Sequence, residues 1–292
     1  MRLKHNTVAY FILGFAAGSL RSSTWTKHES PLDKIWRVKL HKFTELRKAQ
    51  IESISRVKLK NVPEREAYDL IEPVLSCELE TRFGAEKFNR GDGPKFTCGV
   101  DLLANDKECI VYSIGSAYDF KFEFAVRRVS KECEIHTFDG TMDLETRPLP
   151  QEVFQKDVRF HNWNIVSDCA ASRYDTPSKC VRDTLRILGH KHRVITWLKI
   201  DCESCEFAVV PQLLQHVPRI DQIMMEVHGT NAEQIMSLFQ SLRNAGMEVF
   251  HKERNHWGCD GYLCVEFSLM SLEYAKRALA LFVEGTSVQL LQ

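Results

Sequence analysis

An apolar run in the middle of the chain, Trp197-Leu198-Lys199-Ile200, leads directly into three acids, Asp201, Glu203 and Glu206. Acids at the end of such a strand face the edge where α/β sheets bind their ligands. A second run, Ile223-Met224-Met225-Glu226-Val227-His228, ends in an acid and a histidine two residues apart. In a strand that spacing points both side chains to one face, so Asp201, Glu226 and His228 form one candidate catalytic cluster. Two chemistries suit it. His228 is a candidate general base for a substrate hydroxyl, because an imidazole titrates near working pH. Alternatively, the carboxylates hold a divalent cation that orients acceptor oxygens. The plainer reading of His228 is a satisfied structural residue.

Two further motifs describe a nucleoside groove. Val111-Tyr112-Ser113-Ile114 ends in the small-residue turn Gly115-Ser116-Ala117, where a ligand that approaches the backbone closely leaves no room for a side chain. Ile135-His136-Thr137-Phe138 ends in Asp139, 24 residues after Gly115, near the ~20 expected of a carboxylate that accepts hydrogen bonds from vicinal ribose hydroxyls. A helix N-cap is the plain alternative for Asp139, and an ordinary tight turn the alternative for Gly115. Dinucleotide enzymes require GxGxxG, but the run here is Gly115-Ser-Ala-Tyr-Asp-Phe120. The second and third glycines are missing, and Ala117 would crowd a pyrophosphate at the helix N-terminus. S-adenosylmethionine has no phosphate, so the pattern favours that methyl donor over NAD.

The elements that must position these residues follow from periodicity. Apolar runs at Cys109–Ile114, Glu134–Phe138, Val158–Ile165, Val194–Ile200 and Ile220–Val227 alternate with helical stretches near 119–129, 176–189, 204–215 and 231–245. That alternation indicates βαβ units and a mainly parallel sheet. Met247–Phe250 and Tyr262–Leu269 lie close together around the turn-rich segment HKERNHWGCDG, which fits an antiparallel hairpin. The expected class is α/β: a Rossmann-like sheet, mostly parallel, with a C-terminal antiparallel hairpin and helices on both faces. The Gly- and charge-rich stretch Asn89 to Lys95 reads as a loop leading into it.

Taken together, the block from Lys199 to Glu206 resembles the FkbM-related methyltransferases, whose hallmark is close to K-I-D-x-E-G-x-E. It is closer still to the class I methyltransferase-domain group of the methyltransferase-like protein 24 type. That group shares the Tyr-Ser-x-Gly-Ser turn, the Phe122-Glu123 pair that follows it, the Phe-Asp of the second strand and the Glu-x-His strand end. The resemblance spans roughly residues 75 to 270, with Ser204 standing where FkbM-type chains carry Gly. It implies a class I fold with S-adenosylmethionine along the first two strands. Gly115, Ser116 and Ala117 would face its methionine part, Asp139 its ribose, and Asn164, Ile165 and Val166 its adenine. Asp201 would sit beside the transferred methyl. The acceptor it suggests is a hydroxyl on a small molecule or glycan. The alternatives are a methyltransferase-like fold kept as a non-catalytic binding module, and an NAD-dependent Rossmann enzyme.

Composition sets the boundaries. The 292 residues are 44% hydrophobic, and 39 basic side chains balance 39 acidic ones. No global field favours nucleic acid, and no nucleic-acid motif is present. Arg2 and Lys4 precede the apolar run Thr7 to Leu20, which as a helix reaches roughly 21 Å against the ~30 Å of a bilayer core. That length suits a signal peptide, with an uncleaved signal anchor as the competitor. Residues 1–26 are therefore read as the leader, 27–65 as a basic helical stem or a helix laid on the domain, and 66–292 as the methyltransferase-like domain. Membrane contact is expected only through the N-terminal segment. Ten cysteines fit an oxidising compartment and entry to the secretory pathway, with a reduced cytoplasmic enzyme as the alternative. Cys202 and Cys205 form a CxxC without a second CxxC or zinc-finger spacing, so the pair reads as incidental and no metal ligands are assigned.

Overall fold

The computed structural model describes residues 29–84, 93–170 and 177–289. The run from Thr7 to Leu20, and with it the segment read as a leader, lies outside the described residues. Among the described residues no helix is long and apolar enough to cross a membrane.

The strands in chain order are β1 (Glu80–Phe83), β2 (Lys95–Cys98), β3 (Ile110–Ile114), β4 (Glu134–Phe138), β5 (Val158–His161), β6 (Asn164–Val166), β7 (Ser178–Cys180), β8 (Ile195–Ile200), β9 (Ile220–His228), β10 (Met247–Arg254) and β11 (Cys264–Ser271). The helices are α1 (Pro31–Ser55), α2 (Asp101–Ala104), α3 (Lys121–Val129), α4 (Gln151–Gln155), α5 (Val181–Leu188), α6 (Glu206–His216), α7 (Ala232–Asn244) and α8 (Leu272–Gln289).

Seven strands form the central sheet in the order β10-β11-β9-β8-β3-β4-β5. β5, β4, β3, β8 and β9 are parallel, and β11 runs antiparallel to both β9 and β10. This is the mostly parallel sheet with a C-terminal antiparallel hairpin that the alternation predicts. The central strands are buried along their whole length, as expected where helices cover both faces. One face is covered by helices from the second half of the chain: Leu185 of α5, Val210 and Leu213 of α6, and Phe239 of α7 share a core with Tyr112, Leu198 and Met225. The other face packs Phe122 and Val126 of α3 and Phe83 of β1 against Trp197 and Met224. Tyr274 of α8 lies on that face too and accepts a hydrogen bond from Trp197 Nε1 at 3.2 Å. α1 begins at an N-cap where Ser30 Oγ accepts from the Asp33 amide. It lies across α8, with Phe43 buried in a cluster with Tyr274 and Ala278.

The single run expected at Val158–Ile165 is two strands. After His161 the chain turns, Trp163 N donating to His161 O at 2.9 Å, and β6 pairs with β7 instead of continuing the main sheet. β7 also takes the start of the helix expected at 176–189, so α5 opens only at Val181. All ten cysteines are paired: Cys77–Cys98, Cys109–Cys133, Cys169–Cys180, Cys202–Cys205 and Cys259–Cys264.

Strand order reverses between β3 and β8. The C-terminal ends of two neighbouring parallel strands diverge there into loops on opposite sides, which leaves a crevice. Gly115 and Asp201, the residues that follow those strands, meet at that crevice.

Candidate active site

The glycine turn is set by its neighbours in the sheet. Gly115 has φ +80°, and a Cβ at this position would lie 1.7 Å from the Asp201 carbonyl oxygen. The immediate reason for glycine is therefore contact with the adjacent strand end. Lys199 Nζ, on the same strand end, donates to Gly115 O at 2.5 Å. Below the turn, Glu123 of α3 is fully buried and accepts from Thr137 Oγ1 at 3.3 Å. Burial raises its carboxyl pKa despite the nearby Lys199 charge.

Asp139 stands directly against the turn. Its Oδ2 accepts from the amides of Ser116 and Ala117 at 3.0 and 2.9 Å, and its Oδ1 accepts from the Thr141 amide and hydroxyl at 3.0 and 2.6 Å. A carboxylate offers about four lone-pair sites, and those four bonds use them. Burial opposes ionisation of Asp139, but the hydrogen bonds from Thr141, Ala117 and Ser116 outweigh it and hold the carboxyl below its usual range. Asp139 thus ties two loops together, and Ala117 and Tyr118 take left-handed φ values of 44° and 68° around it. Asn164 of β6 completes this corner: its Oδ1 accepts from the Gly140 amide at 2.9 Å. Val166, two residues along the same strand, is half-buried and pairs with Cys180. Gly115, Ser116, Ala117, Asp139 and Asn164 therefore form one contiguous corner of the crevice.

The charged cluster lies across the crevice. Glu226 and His228 share a face of β9, with His228 Nε2 4.0 Å from Glu226 Oε1 and 3.9 Å from Asp201 Oδ1. The three acids of the Lys199–Glu206 block converge on this histidine. Glu203 lies 3.5 Å from Nε2, and Glu206 lies 3.4 Å from Nδ1 while accepting the His228 amide at 2.6 Å. Burial alone would lower the His228 pKa. The carboxylates of Glu206, Glu226 and Glu203 reverse that and raise it to about 9. That direction favours the imidazolium and speaks against the general-base reading of His228. Glu226 behaves in the opposite way. Burial, then repulsion from Glu266 and Asp201, push its carboxyl up to about 7, against the pull of Lys95.

Lys95 and Glu266 are parts of this site that the sequence reading did not include. Lys95 opens β2, and its side chain is 1% exposed. Its Nζ contacts Glu266, lies 3.3 Å from Asp201 Oδ2 and 3.9 Å from Glu226 Oε2. Glu266 sits directly opposite Glu226 in the β11–β9 register, and Asn255 Nδ2 donates to Glu226 Oε1 at 2.8 Å. Asp201 is held in its charged form, because Lys95, Lys199 and His228 overcome the cost of its burial. Asp201, Glu226 and Glu266 come close enough together to hold a cation. The Lys95 ammonium already occupies that role, which weakens the expectation of a divalent ion there.

The CxxC is part of the same turn and is not incidental. Cys202 and Cys205 are bonded across Glu203 and Ser204, both left-handed at φ 52° and 85°. Ser204, where FkbM-type chains carry Gly, holds a conformation that disfavours L-residues by roughly 1–2 kcal/mol, and the cross-link spans it.

A family model described as a methyltransferase domain matches residues 28–271. No protein of curated function matches the chain. Among solved structures, fibrillarin of Aeropyrum pernix with natively bound S-adenosyl-L-methionine is 12% identical, covering 65% of this chain and 88% of that one, at a TM-score of 0.39. The Burkholderia thailandensis 1,6-didemethyltoxoflavin-N1-methyltransferase, with bound 1,6-didemethyltoxoflavin and S-adenosylhomocysteine, is 11% identical over 59% of this chain and 76% of that one, at a TM-score of 0.34. The ribosomal protein L11 methylase of Lactobacillus delbrueckii subsp. bulgaricus is 13% identical over 56% and 69%, at 0.32.

Proposed function

The chain belongs to the methyltransferase-domain family, and on that premise we propose that it transfers a methyl group from S-adenosylmethionine to a hydroxyl of a small molecule or glycan. The donor supplies a methyl group on a sulfonium, already a strong electrophile, which leaves the protein the tasks of positioning and proton handling. The observation that carries the reading is the group of carboxylates at the crevice: Asp201, Glu203, Glu206 and Glu226 gather around the strand end that abuts Gly115. The part-exposed Asp201 and the exposed Glu203 offer carboxylates to a cationic donor, and the missing second and third glycines of GxGxxG disfavour the NAD reading.

Gly115, Ser116 and Ala117 line the methionine end of the groove, with Asn164 and Val166 toward the adenine. Asp139 shapes the groove by fixing the Ser116 and Ala117 amides, and a ribose hydroxyl reaches its Oδ1 by displacing the Thr141 hydroxyl. Glu226, with its carboxyl pKa raised toward neutrality, takes the acceptor proton as the oxygen–methyl bond forms and the sulfur–methyl bond breaks. The imidazolium of His228 and the ammonium of Lys95 balance the surrounding acids. The Lys199–Glu206 block supports placing the chain near the FkbM-related branch of methyltransferases. The five cystine pairs support an oxidising compartment, and we place the enzyme in the secretory pathway.

Isothermal titration of the full chain with S-adenosylhomocysteine and with NADH tests the cofactor. Transfer of tritiated methyl from S-adenosylmethionine into extract fractions tests the reaction. Saturable binding of S-adenosylhomocysteine alone, with label in hydroxylated small molecules or glycans, is the expected result. Binding of NADH, or cofactor binding with no transfer into any fraction, overturns the proposal.

A further inference from the structure

Toward the opposite end of the parallel strands, away from the crevice, lies a second polar cluster, two buried histidines and a part-exposed carboxylate, that methyl transfer does not use. Glu134 and His136 lie two residues apart on β4 and share a face of it. His190 reaches the same point from the turn that ends α5, where Gly189 takes φ +74° and the His190 amide donates to Leu185 O. One carboxylate oxygen, Glu134 Oε2, lies 3.8 Å from His136 Nε2 and 3.6 Å from His190 Nε2. The three ligand atoms fall within 4.8 Å of one another. A tetrahedral zinc with bonds of 2.0–2.1 Å sets its ligand atoms about 3.4 Å apart, and both Glu134–histidine distances lie within a few tenths of an ångström of that spacing.

A second observation also points to a ligand. His136 is 2% exposed, and its Nε2, the atom facing Glu134, is buried without a hydrogen-bond partner. A buried ring nitrogen left this way costs roughly 1–3 kcal/mol. The outer nitrogens of both rings are engaged: His136 Nδ1 bonds His161 Nε2 at 2.9 Å, and His190 Nδ1 bonds the Tyr112 hydroxyl at 2.8 Å. That is how metal-binding histidines are oriented, one nitrogen anchored and the other aimed at the ion. Burial, reinforced by the neighbouring rings and Arg159, keeps His136 neutral, the form a metal requires.

We propose that Glu134, His136 and His190 bind a zinc-class transition-metal ion that pins the start of β4 to the turn after α5, with water in the fourth position. Two imidazole nitrogens select zinc over magnesium or calcium, which take oxygen ligands. Cys109–Cys133, immediately before β4, already tethers that strand to the start of β3. Arg159 donates to Glu134 Oε2 at 2.8 Å, and Arg193 contacts Oε1. A carboxylate oxygen has a second lone pair, so Oε2 holds both the guanidinium and the metal, although the two positive charges lower the affinity. Every cysteine is paired, so thiolate competition for zinc is absent from the oxidised protein.

The test uses the untagged, oxidised full chain, loaded with zinc chloride, passed through gel filtration and analysed for metal by mass spectrometry. Wild type retains about one zinc per chain, while His190→Gln and Glu134→Gln retain almost none. Zinc at a hundredfold excess over its dissociation constant raises the unfolding midpoint of wild type by roughly 5 °C and leaves the variants unmoved. Glu134 is part-exposed, so Glu134→Gln remains readable if the histidine variant fails to fold. If both variants misfold, cobalt decides on wild type alone by its visible absorption bands. Absence of retained zinc and of cobalt bands, or equal retention by wild type and a folded variant, overturns the site.

Discussion

Replacing Lys95 with methionine keeps the length of the side chain and removes its charge. The ammonium lies 3.3 Å from Asp201 and 3.9 Å from Glu226, each pair worth roughly 4–5 kcal/mol of gross attraction at an effective dielectric near 20. Contact with Glu266 adds to this. Truncating one partner of a buried charge network costs about 3–5 kcal/mol, because the remaining charges stay buried and uncompensated. The cost must depend on pH, and its sign follows from Glu226. In the native protein that carboxyl is raised to about 7 against 4.5 for the free group, and loss of Lys95 raises it further. The folded variant therefore binds more protons than the unfolded chain above pH 4.5. Its stability rises as pH falls through the folded pKa, by up to about 1.4 kcal/mol per pH unit for each carboxyl protonated. Urea unfolding at pH 8 and pH 6, followed by the fluorescence of buried Trp197, measures this with disulfides kept oxidised. We expect a destabilisation of about 3–5 kcal/mol at pH 8 that shrinks at pH 6. A variant within about 1 kcal/mol of wild type at pH 8, or a penalty that grows toward pH 6, would refute the charge argument.

Gly115→Ala drives a methyl group into the Asp201 carbonyl at 1.7 Å, and S-adenosylhomocysteine affinity should fall by about a hundredfold or more in titration, since neither backbone can yield without moving its strand. Glu226→Gln should lower turnover by about 10²-fold or more and remove the acid limb of the rate profile near pH 7, whereas His228→Gln should leave that limb in place; the reverse pattern would return the base role to His228. Ser204→Gly relieves a φ of +85° and should raise stability by up to about 1 kcal/mol in urea unfolding, a gain that a lower midpoint would contradict.

The fold was legible because the central strands are buried on both faces and read as unbroken apolar runs. Ile110–Ile114 and Ile195–Ile200 are such runs, and each opens a crossover that only a parallel sheet accommodates. The split of Val158–Ile165 was not legible. Asn164 leaves the sheet to hold the Gly140 amide and pair with β7, a tertiary bond that strand propensity at Phe160 and Ile165 does not register. The CxxC was misjudged for a related reason. Its role is to bridge two left-handed residues, and that conformation is invisible in a spacing rule built for metals.

The site was half legible, and the divide follows sequence distance. Asp201, Glu226 and His228 stand at strand ends, where the direction of the sheet alone assigns them to one edge. Lys95 belongs to a four-residue strand that follows a glycine-rich stretch of sequence, and nothing local separates it from a solvated lysine. Glu266 did carry a signal, an acid within Cys264–Ser271, a strand buried at nearly every position. A charge buried in such a strand needs a partner of opposite sign, and the nearby carboxylates of Glu226 and Asp201 make that need greater. A lysine was therefore demanded by the acids, although its position could not be read. The same demand bears on His228: carboxylates of Asp201, Glu203, Glu206 and Glu226 beside its ring favour its protonated form, and the group pushed toward neutrality is the carboxyl that the other acids repel.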